Sequence, residues 1–448
     1  MLGLLATFSY ASETKSPVTK TPQPSLLLIT IDTLRADHLP FYGYKRNTAP
    51  FLGKLAEHGI LFTNAYSTSS WTVPAVTSLI TGVYPISHGV VQGIIRNRQA
   101  YKQKSVPHEL PNLPEQLQAL GYRAYAVTAN SHLTDELGFG CGFDRYACIG
   151  FCTAEKVNRT FLEWKHEIES QNSPVFIWLH YFDPHIPYIS RQPWLKHYQS
   201  DETEGERSTI SSISRPVKLC QVLKKNEPRI LTLIQSHYDS EINYCDEQIK
   251  QLFQEFPALE HYVLVFTADH GEEFMEHGKL GHDRNLYNET VRIPFFIRLP
   301  EAVSVTNSKE IASLVDVAPI LLAIAGGKVP LSWQGRALID QRGQISPQEE
   351  RYVLAQLHNG IAPPLNALIG KNWKLIVNDK TQAKELYNLV DDPTERNNLT
   401  ALQPEKTRQQ SEILQKLVLS LAPAPKTGEK KLLQKDKEEM LRSLGYIQ

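Results

Sequence analysis

Ser25–Ile31 (SLLLITI) is a short, nearly continuous apolar run that ends at Asp32, and three more runs share its form: Ala124–Thr128, Val175–His180 and Tyr262–Thr267. Apolar runs of this length suit strands buried on both faces, the situation of a parallel sheet. Between them lie stretches with helical character, at Pro50–Gly59, Leu113–Leu120 and Pro228–Phe256. Strands alternating with helices predict an α/β fold in which a mostly parallel central sheet is covered on both faces. Polar groups gather just past the strands' carboxyl ends: Asp32, Asn130, His180 to His185, Asp269 and His270. Open α/β sheets bind ligands at those ends, so four strands aim their chemistry at one edge.

The rest of the chain divides around this core. Glu13–Pro24, rich in Ser, Thr, Lys and Pro, reads as a linker, and Ser200–Ser214 as a surface insertion without apolar periodicity. A second region begins near Gln348, with Asn366–Val377 broken by a Gly370-Lys371-Asn372 turn, then KELYNL from Lys384, then a charged helix expected over Lys430–Leu444. The expected division is 1–24 as an export-signal remnant or disordered linker, 25–347 as a catalytic domain, and 348–448 as a small α+β subdomain with a sheet and a terminal helix. Met1–Ala11 (MLGLLATFSYA) is apolar but has no basic leading region and is too short to span a bilayer. It reads as a clipped export signal, implying a periplasmic or secreted protein, or as a simple tail. No later segment approaches transmembrane length.

Composition narrows this picture. With 41% hydrophobic and 21% charged residues over 448 positions, disordered and collagen-like classes are excluded. The formal net charge of −1 supplies no electrostatic reason to expect nucleic acid or an anionic membrane as partner. Five cysteines form no C-x-x-C pair, so a zinc knuckle is not expected; they read as small buried residues with room for one bridge.

Asp269-His270-Gly271-Glu272 closes an apolar strand, and its adjacent Asp and His can face one cation with a hard oxygen and a borderline nitrogen. Asp32 is placed to supply a second carboxylate; the competing reading is a helix N-cap. In Ser70–Gly82, Pro74 reads as the first residue of a helix and Gly82 as its stop, which puts Thr72 just before a helix N-terminus that favours an anion. A hydroxyl bound there to a divalent cation can ionise near neutral pH and attack phosphorus or sulfur. A plain capping threonine is the alternative.

Taken together these pieces resemble the sulfatase family of the alkaline-phosphatase superfamily. The matching stretches are Ile31–Asp37, Thr72–Gly82, Gly121-Tyr122, Phe182–His185, Asp269–Glu272 and Leu286–Pro294, followed by Asp316–Pro319 with Gly335-Arg336, Glu385–Tyr387 with Asp392-Pro393, and Leu441–Tyr446. In order they cover nearly the whole chain from Ser25. The resemblance implies an alkaline-phosphatase-like three-layer sandwich and one divalent metal held by Asp32, Asp269 and His270, with Thr72 as metal-bound nucleophile. It implies that His185 contacts the substrate's anionic group and that His132 stands where a second such histidine is common, although the lysine usual two residues earlier is Asn130. Lys279 and His282 match positions where relatives carry a cation for the anion or the leaving group. For each histidine a packed or surface role competes.

Two departures matter. The Cys or Ser of the C/S-x-P-x-R stretch that becomes formylglycine is Thr72 here, in TVPAV, and its Arg is Val76. A secondary alcohol cannot yield the aldehyde, so release of the covalent intermediate requires direct attack by water. Thr33 stands where many sulfatases carry another Asp; two carboxylates and one imidazole favour Zn or Mn over Ca. One metal suits a monoanion such as a sulfate ester or phosphodiester. His180, Asp183 and His282 could hold a second metal, but no D-x-x-x-H spacing supports one.

The expected function is therefore a metal-dependent hydrolase of a small-molecule, glycan or lipid ester of sulfate or phosphate. His282 would protonate the leaving oxygen. One rival is a transferase of phosphoethanolamine or phosphoglycerol, a kind that usually carries membrane helices; another is a non-catalytic anion-binding protein. The loops around Arg96–Pro107 and Ser200–Ser214 would set the organic part of the substrate.

Overall fold

The computed structural model describes residues 23–91, 95–97, 100–198, 201–212, 227–300, 306–346, 350–421, 423 and 430–432, together with 435, 438 and 439. The N-terminal apolar stretch and most of the linker lie outside the described residues.

The four apolar runs form the middle of one eight-stranded sheet. Its order is Thr306–Ser313, Ile60–Tyr66, Phe295–Arg298, Val263–Ala268, Leu26–Ile31, Val175–Tyr181, Arg123–Thr128 and Arg145–Cys148. Phe295–Arg298 runs antiparallel to both its neighbours, and every other pairing is parallel. All six residues of Leu26–Ile31 are buried, as a central strand covered on both faces requires. Two helix groups supply the cover. Pro50–Ala56, Ala154–Leu162 and Glu227–Glu255 pack together, and Thr72–Thr81, Leu113–Gln118 and Val317–Ile324 form the other group.

Register brings the chemistry to one height. Ile31 lies opposite Tyr181 on one side and Ala268 on the other, and Thr128 lies opposite His180. Asp32, Asp269, His180 and Asn130 therefore converge at the carboxyl edge, as the sequence pattern predicts.

The C-terminal region is a four-stranded antiparallel sheet of Val353–Leu357, Leu365–Ile369, Trp373–Asn378 and Lys384–Asn388, with the helix Pro404–Ser420 packed on it. Buried polar groups join it to the core. Arg351 grips Asp316 through two contacts of 2.6 and 2.9 Å. Lys374 meets Glu395 at 2.8 Å, both wholly buried, while Glu395 also accepts the backbone N–H of Asn288.

Four expectations are corrected. Lys430–Leu432, where the charged helix was expected to start, is a strand that pairs with Ala100–Lys104, because an open edge there supplies backbone partners; most of residues 433–448 lie outside the described residues. Lys435, Glu438 and Glu439, inside that expected helix, are helical, and the subdomain also carries the helix Pro404–Ser420. Glu204–Ser212, within the expected insertion, is a helix, and the adjacent Glu202 is buried against His237 at 2.6 Å. The helix expected to begin at Pro74 begins at Thr72, so the hydroxyl sits on its first residue and not before it. Cys141, Cys148, Cys152 and Cys245 are unbridged; Cys220 lies outside the described residues.

Candidate active site

Asp32 ends the central strand and Asp269 its parallel neighbour, so their carboxylates meet. Ligand atoms of Asp32, Asp269 and His270 all lie within 4.8 Å of one another, and all three residues are buried. The His270 Nε2 is 3.5 Å from Asp269 Oδ2 and 3.8 Å from Asp32 Oδ1. Those two carboxylate oxygens have no hydrogen-bond partner. Facing anionic oxygens without a partner in a dry interior are costly unless a cation lies between them. The donor set thus fits a divalent ion.

The other sides of these ligands are held by the protein. Asp269 Oδ1 accepts the backbone N–H groups of Thr33 (3.1 Å) and His270 (2.7 Å). His270 Nδ1 donates to the Gly271 carbonyl at 2.9 Å, which leaves the Nε2 lone pair aimed at the carboxylates. Asp32 Oδ2 accepts the Asn130 amide at 2.7 Å and faces His180 Nε2 at 3.6 Å. Behind it, Trp178 Nε1 donates to Thr30 Oγ1 (2.9 Å), whose own proton is placed for His180 Nδ1 (2.8 Å).

Burial, the largest influence on Asp32, would raise its pKa, but His180, His185 and His270 outweigh it and hold the carboxyl below the usual range. Asp269 is pushed up to about 6, by burial first and by the Asp32 charge second. The pair is thus built so that one carboxylate is ionised readily and the second gains most from a cation.

Two backbone features shape this turn. Thr33 has φ +54°, a left-handed conformation that strains a β-branched residue. It is held there by its N–H on Asp269 and by Tyr238 Oη, which donates to its carbonyl at 2.7 Å. Gly271 is needed for close approach: a Cβ there would stand 2.1 Å from the Glu289 carbonyl oxygen.

Thr72 comes from the other side, on the helix that follows the loop after Ile60–Tyr66. Its Oγ1 is 3.2 Å from His270 Nε2 and only 2% of the residue is exposed. His282 arrives on the hairpin Glu273–Phe274/Leu280–Gly281. The next residue's N–H donates to the Ser70 carbonyl at 2.9 Å, tying that segment to the loop before Thr72. The His282 ring lies 4.6 Å from that of His270 and 5.0 Å from that of His185. Burial pushes both His185 and His282 down to about 4. His185 stacks on Phe182 at 4.4 Å and its Nδ1 donates to the Ile186 carbonyl at 2.6 Å.

The structure thus brings together Asp32, Asp269, His270, Thr72, His185 and His282. His132 sits beside them, edge-on to Trp71 at 6.2 Å, its backbone fixed by Asn130 Oδ1. Lys279 is exposed and its ammonium donates to the Arg284 carbonyl at 3.3 Å. Asp183, raised as a ligand for a second metal, instead pairs with Arg191 and accepts the Ala154 N–H at 2.7 Å, capping a neighbouring helix. Sequence reasoning missed Glu272 as more than part of a motif: its carboxylate, wholly buried, accepts from His282 Nδ1 at 2.9 Å and from Tyr188 Oη at 3.0 Å. Its adjacency to Asp269-His270 was the only available signal.

Comparison with known proteins bears on the family and the fold. The sequence model of the sulfatase family matches residues 24–327, and that of the C-terminal part of N-sulphoglucosamine sulphohydrolase matches 275–422. An ulvan-active sulfatase of Formosa agariphila is 26% identical over 86% of this chain; the chain spans 65% of that relative's length. Among solved structures, one described in complex with its substrate D-glucosamine-2-N,6-O-disulfate superposes with a TM-score of 0.69 at 18% identity, covering 88% of this chain and 97% of the other. The phosphonate monoester hydrolase of Agrobacterium radiobacter gives 0.68 at 18% identity, covering 88% and 95%. At those identities the structures speak for the fold. No described helix is long and apolar enough to cross a membrane.

Proposed function

Since the chain belongs to the sulfatase family of ester-hydrolysing enzymes, we propose that it is a divalent-metal-dependent hydrolase of a monoanionic ester, a sulfate ester or a phosphodiester, that uses Thr72 as nucleophile. The observation that carries this reading is the Thr72 hydroxyl, buried at a helix start 3.2 Å from a histidine of the Asp32–Asp269–His270 cluster. The two unpartnered carboxylate oxygens support metal binding by those three residues. The ion, with Mn or Zn favoured by the donor set, would lower the pKa of the Thr72 hydroxyl and stabilise negative charge on the transferred group.

The chain's own residues supply the rest. The free N–H groups at the start of the helix Thr72–Thr81 would stabilise a bound anion. In this reading His185 would contact the anionic oxygens and His282 would protonate the leaving oxygen. Both are neutral in the unliganded protein, and no Lys or Arg side chain touches the cluster among the described contacts. A site with so little fixed positive charge favours a monoanion over a phosphomonoester dianion.

The organic part is proposed to be a sulfated sugar, on the strength of the relatives' names. Thr72, which cannot form an aldehyde, is the specific observation that favours the phosphodiester instead. The apolar Met1–Ala11 supports an exported protein.

The test is turnover of an aryl sulfate, an aryl phosphate and a bis-aryl phosphate with added Mn, Zn or Ca. We expect activity on the sulfate or the diester that Thr72→Ala lowers at least about 10³-fold with metal binding retained. Absence of turnover on all three with every metal, or an active Thr72→Ala protein, would overturn the reading.

A further inference from the structure

We propose that Glu272 is a positioning residue for His282, fixing which nitrogen its ring turns to the substrate; this rests on the ester-hydrolase reading above. The carboxylate is anchored at its own backbone. The Glu272 N–H donates to the Glu289 carbonyl at 2.9 Å, and its carbonyl accepts from the buried Arg35 guanidinium at 2.9 Å.

Both carboxylate oxygens are committed. Oε1 takes the His282 Nδ1 proton, and Oε2 takes the hydroxyl proton of Tyr188. Tyr188 is itself locked, buried and packed against Tyr238 and Phe274 at ring distances of 6.2 and 5.9 Å. Glu272 therefore cannot swing away from the imidazole. With Nδ1 occupied, Nε2 is the nitrogen His282 has left to offer, from a ring 4.6 Å from His270 and 5.0 Å from His185. A carboxylate behind an imidazole sets its tautomer and holds its ring orientation.

The chemistry closes. Thr72 enters as the alkoxide, its proton having passed through water to Nε2 of the previously neutral His282, and its oxygen bonds to sulfur or phosphorus. The bond from that atom to the leaving oxygen breaks, the electron pair stays with the oxygen, and the oxygen takes the proton from His282 Nε2. His282 is then neutral with its remaining proton on Nδ1, still donated to Glu272. In the second half water attacks, Nε2 accepts one of its protons, and the bond to Thr72 breaks with its pair on the threonine oxygen. The sum is ester plus water giving alcohol plus acid anion, with alkoxide and imidazolium restored.

Aryl and alkyl esters of graded leaving-group basicity test this. In Glu272→Gln we expect kcat to fall a few-fold for a 4-nitrophenyl ester and about 10²-fold for an alkyl ester, with KM changed far less. Glu272→Asp should recover part of the loss, and Glu272→Gln should add nothing to His282→Gln. Equal losses across the series, or losses that multiply in the double variant, would mean that Glu272 only supports the loop and would overturn the proposal. A second readout needs no turnover. Long-range ¹H–¹⁵N spectra of histidine-labelled protein, with His282 assigned from His282→Gln, should show its neutral ring protonated on Nδ1 and should lose that pattern in Glu272→Ala. A wild-type ring protonated on Nε2 overturns the proposal even where no ester is hydrolysed, so its failure is distinguishable from failure of the hydrolase reading.

Discussion

Lys374→Met will destabilise the protein by about 3–5 kcal/mol, the usual cost of breaking a buried ion pair from one side. Lys374 and Glu395 both have fully buried side chains, 2.8 Å apart, where strand Trp373–Asn378 meets the segment at Asn288. The Lys374 ammonium also donates to Asn288 Oδ1 at 3.1 Å. Removing it leaves the Glu395 carboxylate with the Asn288 N–H as its described partner. Lys374→Met/Glu395→Gln removes the stranded charge yet keeps an acceptor for that N–H, so at least about 2 kcal/mol should return. The sign of the pH dependence follows. Burial raises the Glu395 pKa even in the native pair, and without Lys374 it must rise further. A carboxyl with a folded pKa above its unfolded value of about 4.3 contributes stability below that value and loses it as pH rises through the folded pKa. The deficit of Lys374→Met should therefore be full near pH 8 and shrink toward pH 5. Urea unfolding followed by tryptophan fluorescence reads all three, and Trp373 is adjacent in sequence. A single-variant deficit under about 1 kcal/mol, a double variant as unstable as the single one, or a deficit flat with pH would refute the reasoning.

Asp246 caps the Pro50–Ala56 helix by accepting the N–H groups of Phe51 and Leu52, and burial pushes its pKa up to about 7. With the folded value above the unfolded one, stability should fall between about pH 4 and 7, and Asp246→Asn should flatten that part of the stability–pH curve; an unchanged slope would count against it. Saturating Mn or Zn, at a hundred times Kd, should stabilise the wild type by about 2.7 kcal/mol and leave Asp269→Asn unmoved in the same thermal-shift assay; an equal shift in both would remove Asp269 from the metal site. Gly271→Ala should lower both the melting temperature and the bound metal per chain measured by elemental analysis, because its Cβ meets a backbone oxygen at 2.1 Å; an alanine variant that keeps full metal loading would show that the loop can yield.

The four apolar runs and the polar residues after them were sufficient to predict the sheet and its active edge, because strands buried on both faces need continuous apolar sequence and parallel strands in register end at one height. Asp32, Asp269, His270 and Thr72 were legible for the same reason: each lies beside a recognisable strand end or helix start. The antiparallel strand Phe295–Arg298 and the short Lys430–Leu432 strand were not, since four- and three-residue segments carry too little pattern and take their conformation from the edge they join. Nor does any local pattern say that Asn130 would reach Asp32, that Glu272 would grip His282 through a hairpin, or that Lys279 would stay at the surface while His282 three residues later turns inward. Asp183 reads as a candidate ligand until packing turns it to the Arg191 guanidinium and a helix start. Residue types and their place along each strand were thus determined by the sequence itself. Which buried carboxylate meets a cation, an imidazole or a backbone N–H was decided by strand order and side-chain packing, because burial makes an unpaired charge costly and only the assembled neighbours determine how it is paired.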